Sequence, residues 1–410
     1  MLFNFIYVKI IKEEGINMKV CIIGGGAAGL MAAINIKNDD NKVIILEKND
    51  ELGKKILVTG NGKCNLWNSN MNTSYYNSST PELLDNIITE DLINKTFNEL
   101  CYLFAMNEKN GYFYPFSNRA HNVRDILVNE CIKKGIEIKT NYEVKSITKK
   151  DTFIINNEIE CDKLIISTGG CSMPITGSDG SVFNLLNNMG HDIVKPLPSL
   201  VSLYANESYL NKWNGIRCHA VVSSIIDGET KKEEYGELQL TDNGISGVCV
   251  FNISGDIVKA LEDNKNVSVS INFINYLECP SDYFKEQYSD LTVYDVLLKF
   301  LDTKLIKIIL DKADINPDAY IKSLTTKELS RLDKYLTSFN INITGYGDFN
   351  KSQVTQGGVS LKDINPDTLE STIINDLYLI GEVLDIDGIC GGYNLGFAWM
   401  SALKVSDNIC

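Results

Sequence analysis

Two glycine-rich segments near opposite ends of a 410-residue chain carry the residue types that can hold an anionic ligand. Near the C-terminus, Leu377-Tyr378-Leu379-Ile380 runs into Gly381-Glu382, an acidic stretch with Asp385 and Asp387, and then Gly391-Gly392-Tyr393-Asn394-Leu395. The pattern predicts an apolar strand that delivers Gly381 and the Glu382 carboxylate to a strand end. A helix follows the glycine pair, with Leu395, Ala398, Trp399, Ala402 and Leu403 on one face. The start of such a helix suits a group that becomes negative, because its outward N–H groups and its dipole favour that charge. Near the N-terminus, Gly24-Gly25-Gly26-Ala27-Ala28-Gly29 offers a second site of the same kind.

The elements around the second segment define its ligand. Lys19 to Ile23 reads as a strand, Leu30 to Lys37 as a helix and Val43 to Leu46 as the next strand, a βαβ unit. In such a unit Gly24 allows the tight turn, Gly26 lets a pyrophosphate approach the backbone, and Gly29 lets the helix pack on the strand. Glu47 closes the second strand, where a carboxylate accepts from ribose hydroxyls and repels a 2′-phosphate. The expected ligand is therefore an unphosphorylated dinucleotide, FAD or NAD.

Three further features exceed the needs of a simple NAD dehydrogenase. Gly53 to Asn65 is a glycine- and lysine-rich loop that can cover a pyrophosphate and hand Asn65 to an isoalloxazine edge; an ordinary surface loop is the alternative. Lys163 to Ile166 is a strand that ends in Thr168-Gly169-Gly170, a turn able to pass close to a dinucleotide. The third is Gly381-Glu382, with Glu382 placed to accept a ribityl or phosphate-side hydrogen bond. Between the first two, Asn122 to Lys134 predicts a helix burying Val123, Ile126, Leu127 and Cys131 before Gly135. Ile136 to Ile138, Tyr142 to Ile147 and Thr152 to Ile155 read as strands, and Val144 is either an adenine contact or a plain apolar strand residue.

Composition narrows the class. The net charge of −14, with no Lys/Arg cluster, argues against extended nucleic acid binding. Eleven cysteines without a CxxC read as reduced thiols in a cytoplasmic protein and leave no redox-active disulfide. Three histidines, His121, His191 and His219, leave little material for a metal site, and none is expected. No apolar run reaches the roughly 18 residues that would span a membrane. Residues 1–17 lack the features of a signal peptide and read as an extension, with a short added strand as the alternative.

Pro196-Leu197-Pro198 marks the exit into an inserted half. Val221 to Ile226, Tyr235 to Leu240, Val248 to Phe251 and Val267 to Phe273 read as strands of a small sheet or barrel. Residues 281–340 turn helical, clearest in Leu329, Leu332, Leu336 and Phe339 after the capping box Thr325…Glu328. The insertion is expected to roof the ligand and shape a substrate pocket. Tyr112 to Arg119 is an aromatic stretch ending in a cation, suited to a planar or anionic substrate or else to packing. His121 reads as a helix-entry residue with a catalyst as the alternative, Cys64 and Cys390 as small packing residues with redox-active thiols as the alternative, and Asp242 and Tyr393 as candidate proton donors.

With these motifs assembled, the chain resembles the bacterial BaiN-like or aminoacetone-oxidase family of FAD-dependent oxidoreductases over residues 18–408. The segments that carry the resemblance are GGGAAG at 24–29, LEK at 46–48, GNGKCN at 60–65, STGG at 167–170, GELQLTDNGISG at 236–247, VTQGGV at 354–359 and GEVLDIDGICGGYNLGFAW at 381–399. It implies an α/β fold: a Rossmann-like FAD-binding domain (18–195 with 346–410), interrupted by a β-rich, barrel-like domain (196–280 with 341–345) that carries a helical insertion (281–340). It implies that Gly24, Gly26, Ala28 and Gly29 lie along the pyrophosphate, Glu47 and Lys48 at the adenosine, and Val144 at the adenine. Asn65, Thr168, Gly169, Gly170, Gly381, Glu382, Gly392, Tyr393, Asn394 and Leu395 would surround the rest of the flavin. The chain departs from the family pattern at Asn61, Lys63, Trp67, Asp242, Asn243, Val248 and Gly396, positions that bear on the substrate. Lys63, standing where arginine is usual, keeps charge without bidentate geometry.

The function expected is NAD(P)H-dependent hydride transfer through flavin N5 to an unsaturated small organic substrate, with NADH or NADPH as transient donor. The helix beginning near Tyr393-Asn394 would stabilise the negative charge that gathers toward N1 and the C2 carbonyl. An amine oxidase of the aminoacetone type is the alternative within enzymes. A flavin-dependent RNA-modifying protein and an electron carrier are the rivals of other classes. A carrier predicts an exposed flavin edge, an enzyme a roofed pocket. Oligomeric state is not legible.

Overall fold

Short apolar runs bounded by glycine build the central sheet. The computed structural model describes residues 18–409, so the extension expected over residues 1–17 lies outside the described residues. β1 (Met18–Ile23) leads through α1 (Ala27–Ile36) to β2 (Asn41–Leu46). Nearly all of α1 is buried, as an apolar helix wedged into a core must be. The expected loop after Gly53 is a short helix, α2 (Lys54–Val58), because no breaker occurs until Gly60. Gly60 and Asn61 then turn the chain in left-handed conformation.

β3 (Tyr112–Pro115) pairs antiparallel with Met106–Lys109 and with Trp67–Asn68. α3 (Ala120–Lys133) buries Val123, Leu127 and Cys131. β4 (Glu137–Lys139) joins β2 in parallel and not a small separate sheet. The strand expected from Tyr142 to Ile147 is absent. The Tyr142 N–H donates to the Glu47 carbonyl (2.9 Å). The Asn156 side chain accepts from the Lys145 and Ser146 N–H groups at 2.8 and 3.1 Å, which removes them from any ladder. Only Ile147–Lys149, Phe153–Ile155 and Ile159–Cys161 make that small sheet.

After β5 (Lys163–Ile166), β6 (Ile193–Ser199) carries the two prolines out of this half as one strand of a two-stranded ribbon, with a register break between Val194 and Leu197. Beyond it, β7 (Leu203–Ala205), β8 (Arg217–Ile226), β9 (Glu229–Thr241) and β10 (Gly244–Ser246) begin a barrel. Val248 to Phe251, expected as a strand, opens α4 (Val248–Glu262). The apolar run continues through Ile253, Ile257 and Ala260 at helical spacing, and these side chains share a core with Val222, Leu238 and Ile271.

β11 (Val267–Asn272) precedes the helices α5 (Pro280–Tyr288), α6 (Val293–Leu297), α7 (Thr303–Ala313) and α8 (Thr326–Thr337). The expected capping box Thr325…Glu328 opens α8. β12 (Phe339–Tyr346) closes a six-stranded barrel in the order β7-β10-β9-β8-β11-β12. β13 (Val354–Val359) returns along β6, and β14 (Leu377–Leu379) leads to α9 (Tyr393–Ile409).

The main sheet is parallel, in the order β14-β5-β1-β2-β4. Ile23 is level with Leu46 and Ile166, and Ile166 with Leu379. Gly24, Glu47, Ser167 and the Ile380-Gly381 corner therefore leave the sheet along one edge, the carboxyl edge where open α/β sheets bind ligands. Two separate apolar cores result. One joins residues between Val20 and Leu186 to residues between Val359 and Ile409, and the other lies between Leu203 and Ile343.

Candidate functional site

A cleft of about 820 Å³ runs from this carboxyl edge to the barrel. At its first end Gly24 holds φ +102°, and a Cβ there would lie 2.6 Å from the Ser167 carbonyl oxygen, so only glycine lets β1 turn against β5. Gly26 precedes α1, and nothing stands within 4 Å of where its Cβ would be. That open cradle at the start of α1, walled by Ala28, has room for a diphosphate against outward N–H groups. Gly29 lies behind the turn and not on the cleft wall: a Cβ there would be 2.0 Å from the Gly24 carbonyl oxygen.

The buried Glu47 carboxylate accepts from the Gly25 N–H at 2.9 Å and from the Asn49 N–H and side-chain amide at 2.9 and 2.8 Å. Three of roughly four lone-pair directions are used, leaving one toward the cleft for a hydroxyl. Lys48 lines the cleft and pairs with Asp179 at 2.7 Å. Val144 also lines it, from irregular chain.

Midway, Thr168 and Gly169 face the cleft, whereas Gly170 packs on Thr355, whose Oγ1 would lie 2.5 Å from an added Cβ. Gly381 and Glu382 are on the wall, but the Glu382 carboxylate is already engaged: Oε2 accepts from Lys55 Nζ (2.7 Å) and Oε1 from the Thr355 N–H (2.8 Å). Two of its roughly four lone-pair directions are used in this way, so beside its expected place as a ligand acceptor it holds Lys55, which also donates to Ser178 at 2.8 Å. This places a cation beside the midpoint of the cleft.

At the far end Gly392, Asn394 and Leu395 line the start of α9. Asn394 Oδ1 accepts from the Gly388 N–H (2.8 Å) and its Nδ2 donates to the Gly388 carbonyl (2.7 Å), so this side chain clamps the preceding loop. Asn65 does the same across chain segments. With Nδ2 toward the Trp67 and Phe113 carbonyls (3.1 and 3.2 Å), its Oδ1 meets the Gly392 N–H at 3.3 Å. Tyr393 is turned away from the cleft, 4.8 Å from the Tyr75 ring, and its hydroxyl donates to the Asn70 carbonyl. It is not placed as a proton donor.

Arg217, Gln239, Val248 and Phe251 from the barrel and α4 also line the cleft, so the second unit forms part of its wall. No residue of 281–340 reaches it, so the helical insertion braces the barrel instead. Tyr112 and Tyr114 line the cleft; Arg119, His121 and Asp242 are exposed and away from it. Cys64 is buried off the cleft. Cys390 borders it, and burial pushes the thiols of both up to about 12, leaving them protonated. Lys55, Ser178, Gln239 and Phe251 were not singled out by sequence. A helix-spaced reading of 248–260 would have found Phe251, and Lys55 lies in the lysine-rich loop expected to cover a pyrophosphate; nothing local marks Ser178 or Gln239.

A family model described as the HI0933-like protein Rossmann domain matches residues 18–408. A Clostridium scindens protein named 3-dehydro-bile acid delta(4,6)-reductase is 33% identical over 393 residues, covering 93% of this chain and 96% of that protein. A Haemophilus influenzae protein named ribosomal RNA dihydrouridine synthase is 27% identical over 403 residues, covering 93% and 96% respectively. Among solved structures, a 3-ketosteroid delta1-dehydrogenase from Sterolibacterium denitrificans overlays with a TM-score of 0.49 at 11% identity, covering 95% of this chain and 98% of that one.

Proposed function

We propose, on the premise that this chain is an oxidoreductase belonging to the HI0933-like Rossmann-domain family, that it binds FAD along the cleft and reduces a carbon–carbon double bond conjugated with a carbonyl in a small organic molecule. In this reading residues 18–195 and 346–410 form the FAD-binding domain, with the barrel (196–280 and 341–345) and its helical insertion (281–340) as the second unit. Gly24, Gly26 and Ala28 border the diphosphate, Glu47, Lys48 and Val144 the adenosine, and Asn65, Thr168, Gly169, Gly381, Gly392, Asn394 and Leu395 the flavin. Glu382 stands on the wall beside them and holds Lys55, and Gly29, Gly170 and Tyr393 support these groups from behind.

One continuous cavity supports this: an open cradle at the start of α1 is joined to a pocket lined by Gln239, Val248 and Phe251. When bound, the flavin supplies two-electron hydride chemistry. The chain's own residues do the rest. Lys55, held by Glu382, offsets phosphate charge; the first N–H groups of α9 favour negative charge on the ring edge they face; and Val248 and Phe251 add apolar surface against which a substrate can stack. A pocket walled in part by the second unit favours an enzyme over an electron carrier. NADH or NADPH would enter this same pocket, since the chain has no second GxGxxG.

The names of both relatives describe saturation of a double bond, in a 3-dehydro bile acid and in uridine. Uridine in RNA is therefore the second reading, opposed by the net charge of −14. The test is anaerobic. The purified protein should carry FAD that NADH or NADPH bleaches, and a 3-dehydro bile acid with a 4,6-diene should restore its colour. Recovery with a uridine-rich ribosomal RNA fragment alone would favour the RNA reading. Bleaching by aminoacetone in place of nicotinamides would favour an oxidase, and absence of FAD after reconstitution would end the proposal.

A further inference from the structure

β3 presents two tyrosines to the cleft by simple alternation. Tyr112 and Tyr114 face inward, about 7 Å apart along the strand, while Phe113 points away and packs on Phe97 at 5.1 Å. The strand is pinned on both sides, by Met106–Lys109 and by Trp67–Asn68. Tyr112 sits against the loop before α9: a Cβ on Gly391 would lie 2.8 Å from its ring edge. Tyr114 sits beside Gly60.

Their hydroxyls differ from those of the neighbouring tyrosines. Tyr76 donates to the Tyr393 carbonyl at 2.9 Å, Tyr393 donates to the Asn70 carbonyl, and the Tyr75 hydroxyl accepts from Asn70 at 2.6 Å. Among the described residues neither the Tyr112 nor the Tyr114 hydroxyl has a protein hydrogen-bond partner, although both border the cavity. Burial, and then the adjacent Tyr112 phenol, hold the Tyr114 hydroxyl above its usual range, so it remains a donor. Two rigidly mounted donors on one cavity wall match a ligand atom that gains negative charge.

We infer that Tyr112 and Tyr114 are catalytic residues whose hydroxyls donate to the substrate's carbonyl oxygen as hydride reaches the β-carbon. The assignment rests on the reduction proposed above. Hydride from the reduced flavin brings an electron pair that forms the new C–H bond at the β-carbon. The π pair of the double bond shifts through the α-carbon onto the carbonyl oxygen, where both phenols hydrogen-bond it. A proton from water then bonds to the α-carbon and the carbonyl re-forms, so the phenols end with their own protons.

Tyr112→Phe, Tyr114→Phe and the double variant test this in the FAD-loaded protein. The flavin is reduced anaerobically with dithionite, then mixed with a 3-dehydro bile acid carrying the 4,6-diene, and its reoxidation is followed. Each single variant should slow reoxidation about 100-fold, the range seen when one oxyanion donor is removed. Flavin content, melting temperature and the rate of reduction by dithionite should stay unchanged. A readout independent of turnover is the flavin absorbance shift on titration with the saturated 3-dehydro bile acid, whose Kd should weaken about 10-fold per variant. Wild-type reoxidation rates and unaltered Kd values in both single variants would overturn the tyrosine assignment alone. Failure of the wild-type protein to be reoxidised by this substrate would overturn it together with the reduction of such substrates.

Discussion

At the α1 end of the cleft, Gly24, Gly26, Ala28 and Glu47 all come from one β–α–β unit. At the barrel end, Asn65, Tyr112, Gln239, Val248 and Leu395 are brought together from segments far apart in the chain. The first end is set by backbone: glycines without which a turn or a helix contact cannot form, and a carboxylate whose oxygens grip N–H groups of the turn. The second is set by side-chain amides that tie loops together, Asn65 to Gly392, Asn394 to Gly388, and Asn252 Oδ1 to the Cys390 N–H at 2.9 Å. Substitutions at the first end should therefore act on folding or on ligand retention as a whole, and those at the second on chemistry.

The largest effect is expected at Gly29→Val. Its Cβ has nowhere to go but into the Gly24 carbonyl, and no flexible neighbour can yield. Loss of folded, flavin-containing protein on expression is the outcome; a yellow, cooperatively melting variant would show that the turn is less rigid than its geometry.

Asp387 sharpens the contrast from the far side. It is buried where the loop before α9 meets β6, accepting from Ser199 and Asn77, both at 3.3 Å, and burial pushes its carboxyl up to about 7 despite Lys259 nearby. A raised folded pKa gives stability that is fully present below about pH 4 and lost as pH rises through 7. At about 1.4 kcal/mol per unit the loss reaches at most about 4 kcal/mol. Asp387→Asn should melt closest to the parent at pH 4, pull ahead of it as pH rises, and melt higher than it by the widest margin at pH 8. Parallel pH–stability curves would remove Asp387 from this role.

Gly26→Asp separates fold from ligand. The site has open space, so melting of the flavin-free protein should barely change. A carboxylate facing the diphosphate should weaken FAD retention about 100-fold, near 2.7 kcal/mol. Equal FAD affinity, measured by fluorescence titration of the stripped protein, would place the diphosphate elsewhere. The smallest effect is Thr325→Ala, which removes the α8 cap at a cost of about 1 kcal/mol. Since the helical insertion does not reach the cleft, the flavin spectrum should be unmoved; a changed spectrum would mean that the insertion couples to the ligand.

Legibility followed the same divide. The βαβ unit, the strand to Thr168, the strand–turn–helix at Gly381 to Leu395 and the barrel strands were readable because turn glycines and apolar periodicity act over a few residues. Two errors had nonlocal causes. Val248 to Phe251 has strand-like content, but its helical continuation packs inside the barrel core. Tyr142 to Ser146 alternates like a strand, but its N–H groups are taken by the Glu47 carbonyl and the Asn156 side chain. Glu382 stands at a strand end as expected, and only the fold shows that Lys55, from the other end of the chain, shares its carboxylate.

From sequence alone came the class of fold and the expected nature of the cleft's α1 end, which rest on residue type and short spacing, and the joining of both ends of the chain in one site, which the family resemblance implied. Tertiary structure decided which groups remain free to act. Hydrogen-bonding capacity is finite, and only the folded chain shows that Asn394 and Tyr393 have spent theirs on the protein, while among the described residues the hydroxyls of Tyr112 and Tyr114 have not.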